Sequence, residues 1–278
     1  MTNLDDMFAA VRRERRAALV GYLPAGYPDL TASKDLYAAI IDGGCDLVEV
    51  GLPFSDPVLD GPVIQHAARQ SLAGGFRVRD TFDIVESVTS RGGRAVVMTY
   101  FNPVLAYGVD AFARDLAAAG GAGVITPDLI VDEAGEWLDA VHKHGIDPIF
   151  LVAPSSSVER IALTAAAGGG FVYAASVMGV TGARDQVSTA APDLVARCRT
   201  VTDLPIGVGL GVRTGEQAGQ IAEYADAVIV GSAFLGAYAD GGRDGAAHLA
   251  AELAAGIRAA IRSAPRARPA VRQLAVGP

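Results

Sequence analysis

Short runs dense in Val, Ile and Leu alternate along the chain with Ala-rich stretches whose apolar residues recur at helical spacing. The strand-like runs are AALVGYL, DLVEVG, AVVMTY, GVIT, PIFLVA, FVYAA, PIGVGL and AVIVG. Between and after them lie TASKDLYAAI, DTFDIVESV, DAFARDLAAA, VDEAGEWLDAVHKH, SSVERIALTAA, AAPDLVARCR, TGEQAGQIAEY and the closing GAAHLAAELAAGIRAAI. This βα alternation predicts a parallel sheet. The strand runs are almost continuously apolar, as expected where helices cover one face and a barrel interior the other. Eight such units in about 250 residues predict an α/β fold, a single (β/α)₈ TIM barrel, with an open doubly wound sheet as the alternative. Ahead of the first strand, Leu4, Phe8 and Val11 recur at i, i+4, i+7. They predict an extra N-terminal amphipathic helix packed on the main body, with the basic run in AVRRERRAAL as its solvated face. The barrel domain is expected over 1–264, and the aperiodic Pro- and Arg-rich end makes 265–278 a mobile tail without a catalytic role.

Composition narrows the picture. The 278 residues are 51% hydrophobic and 19% charged, which excludes disorder, while no uncharged apolar run is long enough to span a membrane. The N-terminus MTNLDDMF carries acids where an export signal needs positive charge and then an apolar core, so a cytoplasmic location is expected. A net charge of −8 argues against nucleic acid as a partner. Cys45 and Cys198 stand far apart with no ligand spacing beside them, and His142 and His144 fall on different faces of one helix. No metal site is expected, and both thiols read as buried.

Candidate chemistry concentrates where strands end, because a barrel places its site at the carboxyl ends of its strands. In VEVGLPFSDPVLDGP, residues 48 to 62, an acid interrupts an apolar strand. Alternation puts Leu47, Glu49 and Gly51 on one face and Val48 and Val50 on the other. With the valines toward the helices, Glu49 points into the barrel. Burial would raise its pKa into the range useful for proton transfer, yet position alone leaves a structural acid, paired with a buried Arg or with amides, equally open. Asp60 follows in a loop stiffened by Pro53, Pro57 and Pro62, so two carboxyls can approach one substrate from different sides. Asp56 reads as a turn-ordering residue or as one facing a partner.

Three late loops are glycine-rich: GVTG at 179–182, GVGLGV at 207–212 and VGSAF at 230–234. GVGLGV lacks the full dinucleotide spacing. Glycine lets backbone approach a ligand, helix starts present amides to anions, and this fold recurrently binds phosphate in the loops after strands seven and eight. Gly231 and Ser232 are the best-placed donors. Tyr22, Tyr100, Phe101 and Tyr173 stand at or near strand ends, where they serve either as core or as the wall of an aromatic pocket. Taken together, these features suggest a substrate with an aromatic body and a phosphate tail.

VEVGLPFSDPVLDGPVIQ, with GVTG, GVGLGV and VGSAF, closely resembles the tryptophan synthase alpha chain family. LVGYLPAGYP, MTYFNPVLAYG and PDL at 127–129 match in order and spacing, so the likeness runs nearly end to end. The resemblance implies a (β/α)₈ lyase that cleaves indole-3-glycerol phosphate to indole and glyceraldehyde 3-phosphate with no cofactor of its own. It implies Glu49 as proton shuttle, Asp60 as acceptor of the indole N–H, and Tyr173 as an active-site tyrosine beside the glutamate. Gly182, Gly211, Gly231 and Ser232 match phosphate contacts. Tyr22 and Tyr100 match pocket-lining positions, and Thr181 matches a residue of a closing lid, 176–187, that meets the aspartate. A beta chain carrying pyridoxal phosphate is the implied partner in an alpha2beta2 heterotetramer, with Asp56 at the contact. A stand-alone lyase releasing free indole is the alternative.

Overall fold

A computed structural model of the chain describes residues 3–175, 190–209 and 211–260. Helix α1 (Asn3–Arg13) precedes β1 (Ala18–Pro24) and α2 (Leu30–Asp42), and β2 (Leu47–Gly51) leads to α3 (Pro62–Ala73) and α4 (Val78–Thr89). Next come β3 (Ala95–Met98), α5 (Phe101–Tyr107), α6 (Val109–Ala118), β4 (Gly123–Ile125) and α7 (Gly135–His144). The strands β5 (Asp147–Ile149) and β6 (Leu151–Val152) precede α8 (Val158–Ala167) and β7 (Val172–Ala175). The chain then forms α9 (Ala190–Arg199), β8 (Ile206–Gly209), α10 (Gly215–Ala222), β9 (Ala227–Val230) and α11 (Ser232–Ala259), the last broken at Gly241 and Gly242.

Each strand-like run of the sequence is a strand, with one difference. PIFLVA forms two short pieces that part at Phe150. The sheet order is β5-β4-β3-β2-β1-β9-β8-β7-β6, parallel at every pairing, so its two ends are consecutive pieces of one run. The Phe150 carbonyl accepts from Tyr173 N at 3.1 Å and continues the pairing through the break. The sheet therefore wraps into the TIM barrel rather than the open alternative.

Alternation along the strands builds two separate apolar layers. Val48, Val50, Val97, Val124, Val208 and Val228 face the surrounding helices. Val20, Leu47, Val96, Ile125, Ile149, Phe171 and Ile229 face inward, and they share one cluster with Leu4, Met7, Phe8 and Val11 of α1. The extra helix therefore stoppers the amino-terminal end of the barrel, with the Phe8 and Phe171 rings 5.9 Å apart. Arg12 and Arg13 form its solvated side, but Arg16 does not belong to that face. Its guanidinium grips Asp46 through two bonds of 2.7 and 2.8 Å, and Asp46 also accepts from Leu19 N. A planar fork matched to a carboxylate keeps that arginine against the strand ends.

Local signals explain the helix boundaries. Asp29 caps α2 by accepting from Ala32 N, Ser157 caps α8 by accepting from Arg160 N, and Pro62 opens α3 at a position where no amide donor is needed. Gly145, with φ 71°, ends α7 in the left-handed conformation. Among the described residues no helix is long and apolar enough to cross a membrane. The residues expected to form the tail, 265–278, lie outside the described ones.

Phe8 is 3% exposed and fills the closed end, so truncating it opens a cavity between α1 and the strands. Phe8→Ala should lower unfolding stability by about 3–5 kcal/mol in urea titrations. A loss below about 1 kcal/mol would mean that α1 is not part of the cooperative core.

Candidate active site

Glu49 lies at the middle of β2, beside Tyr22 of β1 in one direction and Val96 of β3 in the other. It is fully buried, and among the described residues neither carboxylate oxygen has a hydrogen-bond partner. Among the described residues neither an arginine nor a backbone amide donates to it, as a structural acid would require. Burial alone pushes its pKa up to about 8, because charge is disfavoured where nothing solvates it. The group is accordingly held mostly neutral near pH 7, in the range where a carboxyl can exchange a proton.

The phenols of Tyr22 and Tyr173 surround the same space. Both side chains are half-buried against the core and held well above the ordinary tyrosine pKa, first by desolvation and then by the nearby Glu49 and Asp60. Two inward-facing glycines make room for them. A Cβ on Gly51 would lie 2.6 Å from the Tyr22 hydroxyl, and one on Gly209 would lie 2.7 Å from that of Tyr173. Sequence reasoning did not single out these positions as ring-accommodating, although glycine at the last inward position of a strand is the available signal.

Asp60 is half-buried in the loop between β2 and α3, and burial raises its pKa to about 6. Tyr100, just before α5, stacks on Phe54 at 5.1 Å and accepts a hydrogen bond from Leu59 N at 2.9 Å. Its phenol is pushed up to about 12 by burial, with smaller contributions from Asp60 and Asp128. Glu49, Asp60, Tyr22, Tyr100 and Tyr173 thus converge at the carboxyl ends of the strands. Asp56 stands apart on the exposed rim, where Ser55 Oγ donates to it at 2.6 Å. Beside it Val58 is 73% exposed.

The late loops divide into an occupied helix start and an open one. At α10, Thr214 accepts from Gln217 N, Gln217 Oε1 accepts from Arg213 N, and Glu252 of α11 accepts from Gly215 N at 2.9 Å. Those donors are already used within the chain. At α11 the cap is Gly231, which offers no side-chain acceptor; Phe234 N donates to Gly231 O, and among the described residues the Ser232 and Ala233 amides and the Ser232 hydroxyl remain suited to an anion. Gly211 has φ 66°, a conformation that favours glycine, and a Cβ on Gly231 would come within 3.0 Å of the Tyr22 ring. Thr181, Gly182 and the proposed lid at 176–187 lie outside the described residues. No group of His, Cys, Asp and Glu among the described residues could hold a metal, and Cys45 and Cys198 are buried free thiols.

Raised carboxyls, phenols and an open helix start at the carboxyl rim define a TIM-barrel enzyme equipped for acid-base chemistry on an anionic substrate. Comparison with known proteins gives the particular family. A family model for the tryptophan synthase alpha chain matches residues 8–261. The alpha chain of Mycobacterium avium is 64% identical over 241 residues, covering 87% of this chain and 89% of that one. The alpha chain of Nocardia farcinica is 62% identical over 240 residues, covering 86% and 90%. Among solved structures, tryptophan synthase of Mycobacterium tuberculosis superposes with a TM-score of 0.89 at 60% identity, covering 92% of this chain and 98% of that one. The alpha chain of Legionella pneumophila gives 0.84 at 29% identity, covering 92% and 97%. The chain belongs to the tryptophan synthase alpha chain family, whose members are carbon-carbon lyases of tryptophan biosynthesis.

The raised pKa of Glu49 has a measurable sign. The folded chain holds this proton more tightly than the unfolded chain does, so the contribution to stability is complete below the ordinary value of 4.5 and is lost as pH rises through about 8. Glu49→Gln cannot ionise. Relative to this variant, the wild type should lose about 2–4 kcal/mol of unfolding stability between about pH 5 and pH 9 in urea titrations. A difference that does not change with pH would show that Glu49 ionises normally.

Proposed function

We propose that this chain performs the lyase reaction of its family, cleaving indole-3-glycerol phosphate to indole and glyceraldehyde 3-phosphate, with Glu49 and Asp60 as the catalytic pair. The observation that carries the assignment is the fully buried, unpartnered carboxyl of Glu49 beside a second, half-buried carboxyl at the barrel mouth. Neutral Glu49 donates its proton to indole C3, and positive charge develops toward the ring nitrogen. The Asp60 carboxylate accepts the ring N–H and stabilises that charge. The Glu49 carboxylate then takes the proton of the side-chain hydroxyl as the carbon-carbon bond breaks, which releases indole and the aldehyde and returns Glu49 to its acid form. Proton and charge balance with no further reactant.

In the same reading Tyr173, Tyr22 and Tyr100 wall the aromatic body, with Tyr173 beside the shuttle. Gly211, Gly231 and Ser232 receive the phosphate together with Gly182, and Thr181 meets Asp60 when the lid closes over the substrate. The open helix start at α11, against the capped one at α10, supports the phosphate assignment. The catalytic domain is taken as 1–264 and its setting as cytoplasmic. The partner is a tryptophan synthase beta chain, which holds the pyridoxal phosphate of the joint enzyme; this chain supplies no cofactor. Asp56 and the segment after β3 form the contact, a reading supported by the exposed apolar side chains of Val58, in the loop after β2, and Leu105, on α5. The relatives compared carry the alpha-chain name, so the free-indole lyase is the less favoured reading.

Release of glyceraldehyde 3-phosphate from indole-3-glycerol phosphate, measured with and without a beta chain, tests the assignment directly. A large rise on adding the partner is expected, whereas fast turnover indifferent to it would favour the stand-alone lyase. Glu49→Gln should reduce cleavage by about 10²–10⁴-fold while substrate binding persists. Near-normal cleavage by that variant would remove Glu49 from the mechanism.

The pH profile of kcat/KM, which follows the groups of the free enzyme, is expected to be bell-shaped. Activity needs Asp60 ionised and Glu49 protonated, so it should rise through about pH 6 and fall through about pH 8. In Asp60→Asn the acid limb should vanish along with most of the rate; an acid limb that survives in its residual activity belongs to another group.

A further inference from the structure

Asp60 sits in a loop segment that is neither helix nor strand, and an acid that must meet one ring nitrogen needs its backbone held. The holding contacts come from two different elements. Leu59 N donates to the Tyr100 hydroxyl at 2.9 Å, a contact spanning 41 positions in sequence. On the other side, Gln65 Nε2, from the first turn of α3, donates to the Asp60 carbonyl at 2.9 Å. Asp60 N donates to Pro57 O at 3.1 Å, so the peptides before and after Asp60 are both engaged.

Tyr100 is itself anchored. It is 8% exposed, its ring lies on Phe54, and it immediately precedes α5. The next amide, Phe101 N, donates to both oxygens of Asp128 at 2.9 and 3.1 Å. A rigid bracket therefore runs from the loop after β4 to the start of α5, and through the phenol to the loop that carries Asp60.

We propose that Tyr100 and Gln65 are positioning residues for Asp60, fixing the loop on either side of it so that its carboxylate meets the substrate ring nitrogen. The inference rests on the assignment of Asp60 made above. A displacement of about 1 Å at such a group lowers the rate by about a hundredfold, so the two bonds act on turnover rather than on substrate capture.

Tyr100→Phe keeps the ring against Phe54 and removes the acceptor, and Gln65→Met keeps length and removes the donor. Gln65 is only half-buried, so its variant tests the idea even where Tyr100→Phe folds poorly. Cleavage is measured with the beta chain present. Each substitution should lower kcat by about tenfold to a hundredfold with KM within about twofold of the original. The double variant should fall no more than about threefold below the worse single one, because either loss already frees the same loop. The acid limb of the pH profile should move to lower pH in both variants as Asp60 gains solvent. Losses that multiply in the double variant, or that appear in KM with kcat intact, overturn the proposal. If Asp60→Asn is inactive while both singles keep normal kcat, the bracket alone is refuted; if Asp60→Asn is itself near normal, the assignment of Asp60 has failed.

Discussion

A carboxyl group without a counter-charge, enclosed in an apolar barrel, is the constraint from which the rest of the site follows. Glu49 occupies an inward position of β2 where Leu47, one step nearer the closed end, is hydrocarbon. A charge there would be severely disfavoured, so the proton stays on until a substrate supplies a base or a developing cation. A cation placed beside it would relieve the burial and lower the pKa, turning a proton donor into an inert ion. The absence of an arginine in that pocket among the described residues therefore matters to the proposed role as much as the acid itself.

The surrounding architecture serves that isolation. The parallel sheet turns Val48 and Val50 outward to the helices, which leaves Glu49 no route but the interior. The helix α1 fills the far end with Leu4, Met7, Phe8 and Val11, an apolar plug below the site. The glycines at 51 and 209 admit two phenol rings at the open end, where they bring hydroxyl groups close to the carboxyls without adding charge. Packing, desolvation and proton affinity are consequently set by the same few inward positions.

Much of this was legible in the linear chain because the barrel imposes its periodicities on it. Apolar runs revealed every strand, alternation aimed Glu49 inward, and the spacing of acids and late glycines marked the rim. What was not legible depended on contacts between distant elements. The helices α3 and α5 escaped notice, the first following a Pro-rich loop and the second only seven residues long with Pro103 in its first turn. The break at Phe150 reflects sheet closure, which no local pattern encodes. Arg16 read as one more solvated cation until the fold brought Asp46 beside it. That the start of α10 is closed was also hidden, since it depends on Glu252 of α11 accepting from Gly215 N.

The stopper formed by α1 has a kinetic corollary. A barrel plugged at its amino-terminal end is a vessel and not a conduit, so in the proposed reaction substrate and both products pass through the carboxyl end. In the proposed assignment, the product held by its phosphate lies at the late-loop side of that opening, and the aromatic one beneath the loops after β2 and β3. Whatever rests on the rim therefore governs the order of departure, and the rate of turnover can be set at the doorway while the chemistry inside stays unchanged.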